Sequence, residues 1–361
     1  MPEKFQKILV IKLRAIGDVI LATPVLDNLA AAFPRAAIDF LTEPASAPIV
    51  QHHPALHDVI VLDRRAWAQL PLFARLRASF AFMQKLRDKK YDVVFDLFGN
   101  PRSALLTYFS HAPVRVGYKF RVRRLAYNHL VVPRGDRVHE VEFNLDALRA
   151  LDIPIRTKKL RVENTGEAQT EVAKWWREQK LDEAKPVIGL NASGGWYTKR
   201  WPLASFAQLG DRLARDCGAT IILLWGSREE QRDANEIARQ MQAPARLAPP
   251  TDLAQAGALL ARLHLLVSND SGPMHLAAAV KTRVVGVYGP TRPELQGPWG
   301  EGHQVVFKAG LHCLGCNGVT CKIKTHDCMQ QLEVEEVLQA AKLCLQNAGS
   351  AAVQMTRKLA L

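Results

Sequence analysis

The sequence predicts an α/β protein with two doubly wound parallel sheets, one in each half of the chain. Three observations carry this. Short apolar runs such as Lys7-Ile8-Leu9-Val10-Ile11-Lys12-Leu13 and Tyr91-Asp92-Val93-Val94-Phe95-Asp96-Leu97 are nearly continuous rather than alternating, as strands covered on both faces of a parallel sheet must be. Segments of helical spacing follow these runs in turn, which describes βαβ units. The series then begins again after a polar connection, and 361 residues are more than one ordinary core takes.

The first strand ends in the turn Arg14-Ala15-Ile16-Gly17-Asp18, with Gly17 at the tight position and Asp18 at a helix start. Val19, Ile20, Val25, Leu26 and Leu29 then recur at helical spacing until Pro34 stops the helix. No G-x-G-x-x-G is present, which disfavours a nicotinamide site. Ala37 to Leu41 and Val59 to Leu62 read as further strands, and Trp67 to Lys89 as a helix. Leu72, Phe73, Leu76, Phe80 and Met83 share a face of that helix and are expected to pack on the sheet. The alternative is an apolar stripe lying on an anionic membrane, with Arg75, Arg77, Lys85, Arg87 and Lys89 mostly elsewhere on the helix. The next strand, 91–97, runs into the turn Phe98-Gly99-Asn100-Pro101-Arg102-Ser103.

Net charge is +13, and from Asp63 to Arg137 sixteen Lys/Arg face five Asp/Glu. An anionic partner is implied. Arg115, Lys119, Arg121, Arg123 and Arg124 crowd together, and guanidinium groups suit paired recognition of carboxylate and phosphate. Few aromatics are interleaved, so an anionic small group or glycan ranks above single-stranded nucleic acid. No apolar run approaches the ~20 residues of a membrane span, and basic residues interrupt the first apolar segment as no secretory signal would. A cytoplasmic protein, soluble or peripheral to a membrane, is expected.

The composition turns polar from about Asp152 to Lys185. We expect an N-terminal domain over residues 1–165, a linker with a helix over 166–185, and a C-terminal domain over 186–361, with a cleft between the domains as the preferred site. In the second series, Val187 to Asn191, Thr220 to Trp225, Leu265 to Ser268 and Val284 to Tyr288 are strands, while Leu203 to Arg215 and Glu229 to Met241 are helices. Three loops follow strands and therefore share one sheet edge. Asn191 to Pro202 is rich in glycine and hydroxyls, including Ser193, and carries Lys199 to meet a phosphate. Trp225 to Glu230 offers Glu230 to ribose hydroxyls. Asp270-Ser271-Gly272-Pro273-Met274-His275 offers a hydroxyl, close backbone approach and a helix N-terminus to a phosphate. Taken singly, these are a surface lysine, a helix-starting acid and an ordinary N-cap; together they describe a nucleotide pocket.

Several pieces in order make the chain similar to the ADP-heptose:lipopolysaccharide heptosyltransferases, family 9 of the glycosyltransferases. They are Ile11-Lys12-Leu13-Arg14-Ala15-Ile16-Gly17-Asp18-Val19 with Thr23-Pro24; Thr198-Lys199-Arg200-Trp201-Pro202; and Asp270-Ser271-Gly272-Pro273-Met274-His275-Leu276 followed by Val287-Tyr288-Gly289-Pro290-Thr291. The resemblance implies a GT-B fold of two Rossmann-like domains, with ADP-heptose held by the C-terminal one. It also implies an inverting transfer to the inner core of lipopolysaccharide at the cytoplasmic face of the inner membrane. The opening looks most like the enzymes that add the second or third heptose. By the same resemblance Asp18 is the general base, Lys199 binds the diphosphate, Glu230 binds the ribose, and Ser193, Asp270, Ser271, Gly272 and His275 complete the donor site. Arg14, Gly17, Arg102, Arg121 and Arg123 are the candidates for the acceptor. Gly194-Gly195 stand where many relatives carry hydroxyl residues. No Asp-x-Asp pair is present to hold a catalytic metal, so no cofactor is expected and Lys199 with the helix dipole is expected to stabilise the leaving diphosphate.

Cys313, Cys316, Cys321 and Cys328 form C-x2-C-x4-C-x6-C within the segment 312–328, beside His312 and His326. Structural zinc, reduced thiols tying down a loop, and disulfide or redox use all remain open, with thiols ahead of zinc. Val334 to Leu345 closes the chain as an amphipathic helix, and the tail after Gln346 is expected to fray. The competing readings are a related transferase using another nucleotide sugar, and a non-catalytic protein that binds anionic glycan, membrane or nucleic acid.

Overall fold

The computed structural model describes residues 5–135, 137–181 and 185–358. The chain divides into two compact units, Met1–Glu163 and Asn164–Leu361. In the first, β1 (Lys7–Ile11), β2 (Ala37–Thr42), β3 (Asp58–Val61), β4 (Val93–Asp96), β5 (Val114–Tyr118) and β6 (His129–Val131) form one sheet in the order β3-β2-β1-β4-β5-β6. In the second, β7 (Val187–Asn191), β8 (Thr220–Leu223), β9 (Ala245–Leu247), β10 (Leu265–Asn269), β11 (Arg283–Tyr288) and β12 (Gln304–Phe307) are ordered β12-β11-β10-β7-β8-β9. Every pairing in both sheets is parallel. Each sheet thus reverses its winding once, between β1 and β4 and between β7 and β10, and ligands of such sheets bind beyond the strand ends at that reversal.

Burial explains the central strands. Ile8, Leu9, Val10 and Ile11 are fully buried, as are Leu265, Leu266 and Val267. Lys12 follows directly and is itself buried, its ammonium donating to Glu140 at 2.7 Å, Leu97 O at 3.1 Å and Asn144 at 3.2 Å. Burial alone would push this ammonium's pKa down, but the charges of Glu140 and Asp18 outweigh it and hold the pKa above the ordinary lysine value.

Three expectations need correction. The segment 67–89 is two helices, Arg64–Ala68 and Leu72–Asp88. The longer one packs through Phe82, Met83 and Leu86, whereas Leu72, Phe73, Leu76 and Phe80 are exposed; periodicity located an apolar stripe but not what covers it. The helix expected inside a linker is Gly166–Glu178, and it belongs to the second unit, packed on the helix Leu253–Leu260. Residues 182–184 of that expected linker lie outside the described residues. The last helix, Val334–Lys358, runs past Leu345, and of the tail expected to fray, 359–361 lie outside the described residues. Among the described residues no helix is long and apolar enough to cross a membrane.

The Tyr127 ring lies over Gly117 of β5, so that a Cβ there would stand 2.5 Å from it. Gly117→Ala should therefore lower stability by about 1–3 kcal/mol through overpacking. Chemical denaturation checks this, and an unchanged midpoint would mean that the ring does not rest on that glycine.

Candidate active site

The carboxyl edge of the second sheet gathers the predicted donor residues. Because Ser268 of β10 pairs in register with Asn191 of β7, the loops leaving these strands begin side by side. The Asn191 amide donates to Ser268 Oγ at 2.8 Å and Ser271 Oγ at 3.0 Å, and Ser193 Oγ donates to Asn191 Oδ1 at 2.8 Å. Asn269 Nδ2 donates to Ala192 O at 2.8 Å, fastening the two loops again. Ser271 is the N-cap residue of the helix Gly272–Ala279, yet its side chain makes no cap bond. The simple capping reading of this turn therefore fails: the hydroxyl is spent on the neighbouring loop. His275 is buried in the same helix.

Lys199 is 14% exposed and its ammonium lies 2.6 Å from the Asp270 carboxylate, itself 5% exposed. Thr291, just beyond β11, donates to the same Asp270 oxygen at 2.7 Å, and the ammonium sits over the Trp196 ring, 4.6 Å from its centroid. Asp270 was expected to lead a phosphate-binding turn. In the structure its buried carboxylate holds the Lys199 ammonium. Thr291 as its second partner was not singled out from the sequence; its place after a strand on the same edge was the available signal.

The remaining donor residues are arranged as follows. Glu230 Oε2 accepts from Gly226 N at 2.8 Å while Glu230 N–H donates to Ser227 Oγ, the N-cap, at 3.2 Å, so Oε2 is engaged at the helix start. Gly195 is exposed, with nothing within 4 Å of where a Cβ would stand, so packing does not demand glycine there. Behind Lys199, Thr198 Oγ1 donates to Gly318 O at 2.8 Å and the buried His326 ring pairs through Nε2 with Thr198 O at 2.7 Å. The cysteine segment thus buttresses the lysine loop. All four of its cysteines are free thiols, and burial, then the neighbouring Cys313, Cys316 and Cys321, push the Cys328 thiol up to about 11. Among the described residues no group of three or more His, Cys, Asp or Glu is placed to hold a metal ion.

The first sheet's carboxyl edge carries a second cluster. Asp18 is half-buried in the helix Ile16–Ile20, accepting from Ala15 N at 3.0 Å, with Gly17 buried beside it. Burial, and then the charge of Arg64, hold the Arg102 guanidinium below its ordinary pKa, Glu43 opposing and Arg14 adding to the effect. The like charges of Arg64 and Arg14 thus both act on Arg102, and Arg64 itself pairs with Glu43 at 2.9 Å. Such a cluster invites an anion. Arg64 was missed in the sequence because it stands in a long basic run; its position directly beyond β3 is what marks it. Arg123 differs from expectation: it is half-buried and donates to Gly99 O at 2.6 Å. Its role is to brace the turn after β4, where the buried Asp96 accepts from Gly99 N at 2.9 Å, Phe98 N at 3.0 Å and Tyr127 Oη at 2.7 Å. Burial pushes the Asp96 carboxyl up despite these donors. Arg121 is exposed on the following 3-10 turn, Arg121–Ala126.

If Lys199 is the anion ligand and Asp270 its support, Lys199→Met should weaken ADP binding by about 10- to 100-fold, the size of one charge-assisted bond, and Asp270→Asn should weaken it less. Titration calorimetry with ADP checks the order. A larger loss in Asp270→Asn would make the carboxylate a direct ligand.

The model of glycosyltransferase family 9 (heptosyltransferase) matches residues 79–326. The chain is 32% identical over 328 residues to lipopolysaccharide heptosyltransferase 1 of Pseudomonas aeruginosa, covering 87% of each chain. It is 29% identical over 308 residues to lipopolysaccharide heptosyltransferase 2 of Salmonella typhimurium, covering 81% of this chain and 85% of that one. Near-equal identity to both means that overall likeness does not favour the second or third heptose, as the opening alone did. The structure of an Escherichia coli heptosyltransferase with ADP superposes with a TM-score of 0.72 at 26% identity, covering 94% of this chain and 100% of that one, so the two Rossmann-like units are those of the GT-B fold. The chain belongs to glycosyltransferase family 9, the heptosyltransferases.

Proposed function

We propose that the protein transfers a heptose from ADP-heptose to the inner core of lipopolysaccharide, with inversion, at the membrane surface facing the cytoplasm. The observation that carries this reading is the Lys199–Asp270 pair at 2.6 Å beside a helix N-terminus without a side-chain cap, in a chain of this family. That combination suits a diphosphate: one fixed cation, and backbone N–H groups with the positive end of a helix dipole. Glu230 Oε1 takes the ribose hydroxyls, and Ser193, Ser271, Gly272 and His275 shape the pocket around the donor.

Asp18 is the base. The acceptor hydroxyl gives its proton to the Asp18 carboxylate, its oxygen bonds to the anomeric carbon from the face opposite the diphosphate, and the anomeric carbon–oxygen bond to phosphate breaks, releasing ADP. The buried Lys12 ammonium and the Asp18 carboxylate attract one another. Charge developing on the departing diphosphate meets Lys199 and the helix N-terminus, the role a divalent ion has in other transferases. Arg14, Arg64 and Arg102 suit an acceptor that carries phosphate, with Gly17 allowing close approach and Arg121 at the margin. The acceptor is anchored in a membrane, so the enzyme works as a peripheral protein on an anionic bilayer and has no need of nucleic acid.

Incubation with ADP-heptose and a heptose-deficient lipopolysaccharide, with ADP release as the readout, tests the assignment. Turnover only with another sugar nucleotide would favour a related transferase, and none with any would favour a binding protein. Within the proposal, Asp18→Asn should keep ADP affinity and lose turnover by about 10²- to 10⁴-fold, the usual worth of general-base catalysis. A variant with near-normal kcat would remove Asp18 from the proton transfer.

A further inference from the structure

The helix Leu72–Asp88, the helix Pro101–Phe109 and the 3-10 turn Arg121–Ala126 adjoin one another in the first unit, the middle element packed against both others. Each leaves apolar side chains uncovered. Phe73 is 85% and Phe80 67% exposed, and on the 3-10 turn Val122 is 77% and Leu125 72% exposed. At about 100° per residue, Leu72, Phe73, Leu76 and Phe80 fall into one stripe roughly 100° wide, bordered by Arg75 on one side and Arg77 on the other. The same helix meets the core on another side, through Phe82 and Leu86, while Met83 continues the stripe at its buried end. Contiguous exposure of this kind marks an interaction surface.

Charge selects the occupant. Neither 64–87 nor 97–134 contains an aspartate or glutamate, while together they hold thirteen Lys/Arg. A polynucleotide would answer that charge and gain little from Leu72, Leu76, Val122 and Leu125. A second copy of this chain, itself strongly basic, would cover the stripe and repel. An anionic bilayer answers both features: the rings and aliphatic chains enter the acyl boundary while the guanidinium groups stay among the headgroups.

We propose that this face of the first unit, centred on Phe73 and Phe80, docks on an anionic lipid bilayer. The inference rests on the peripheral-membrane part of the function proposed above and assigns that contact to residues outside both substrate clusters.

The test mixes the purified full chain with vesicles of phosphatidylethanolamine and phosphatidylglycerol, or of phosphatidylcholine alone, and reads the bound fraction by co-sedimentation. Binding to the anionic vesicles is expected, with a loss of roughly tenfold or more in both F73S/F80S and R75E/R77E. ADP release with ADP-heptose and a soluble, lipid-free acceptor fragment should stay unchanged in the same variants, which also shows that they fold. Equal partition of variants and wild type, equal binding to phosphatidylcholine, or tighter binding to single-stranded DNA than to vesicles would overturn the proposal. So would a wild-type dimer that F73S/F80S dissociates, since a second copy would then own the face. Vesicle binding that depends on these residues in a protein without heptose transfer would uphold the docking face and count against the transferase reading alone.

Discussion

Because β10 pairs with β7 in parallel, with Ser268 opposite Asn191, the loops that leave the two strands start side by side at the reversal of the winding. Lys199 and Asp270 are separated by about seventy residues of chain, and this strand pairing is what starts their loops next to one another. A shift of one residue in that register would turn every alternate side chain to the opposite face and move Ser268 away from the Asn191 amide. The bonds of Asn191 to Ser268 and Ser271, and of Asn269 to Ala192 O, lock the pairing where the strands end. The site is in this sense a consequence of sheet topology, with the hydrogen bonds as its fasteners.

The two sheet edges solve opposite electrostatic problems. In the second unit a lysine ammonium is held by a buried carboxylate that also accepts from Thr291. In the first unit the like charges of Arg64 and Arg14 act on the Arg102 guanidinium. Lys12 is not part of that group: Glu140 at 2.7 Å offsets most of its charge. Breaking such a buried pair by removing one partner costs about 3–5 kcal/mol, so Lys12 and Glu140 serve the fold as well as the site.

The central strands were legible because burial on both faces leaves a nearly unbroken apolar run, and the loops that follow them could be placed on one edge from parallel topology alone. The edge strands β6, β9 and β12 were not, for a physical reason: they are three or four residues long and mostly half-buried, so neither length nor pattern separates them from loop. β5 was read only as part of a basic cluster, its Arg115 masking the strand. Residue types pointed to the anion site, but the division of roles within it depended on contacts across the fold. Asp270 beside Ser271 reads as a ligand or a cap in sequence, and its contact with Lys199 shows only in the fold. The exposed stripe of Leu72–Asp88 shows the same limit, because helical spacing reports that apolar side chains share a face and is silent on which neighbour meets it.

Holding Lys199 against Asp270 looks at first like a loss, since a paired cation has less net charge to offer. The balance changes when the alternatives are compared. A free lysine must surrender about 2 kcal/mol of side-chain entropy when it orders on a ligand, whereas this one is ordered already by the carboxylate and the Trp196 ring. Its ammonium has three donors, and the Asp270 contact occupies only part of that capacity. The opposing cost is reduced because Asp270 also accepts from Thr291 at 2.7 Å. Preorganisation therefore outweighs partial neutralisation, provided that Asp270 stays buried, which is what the paired loops at the ends of β7 and β10 secure.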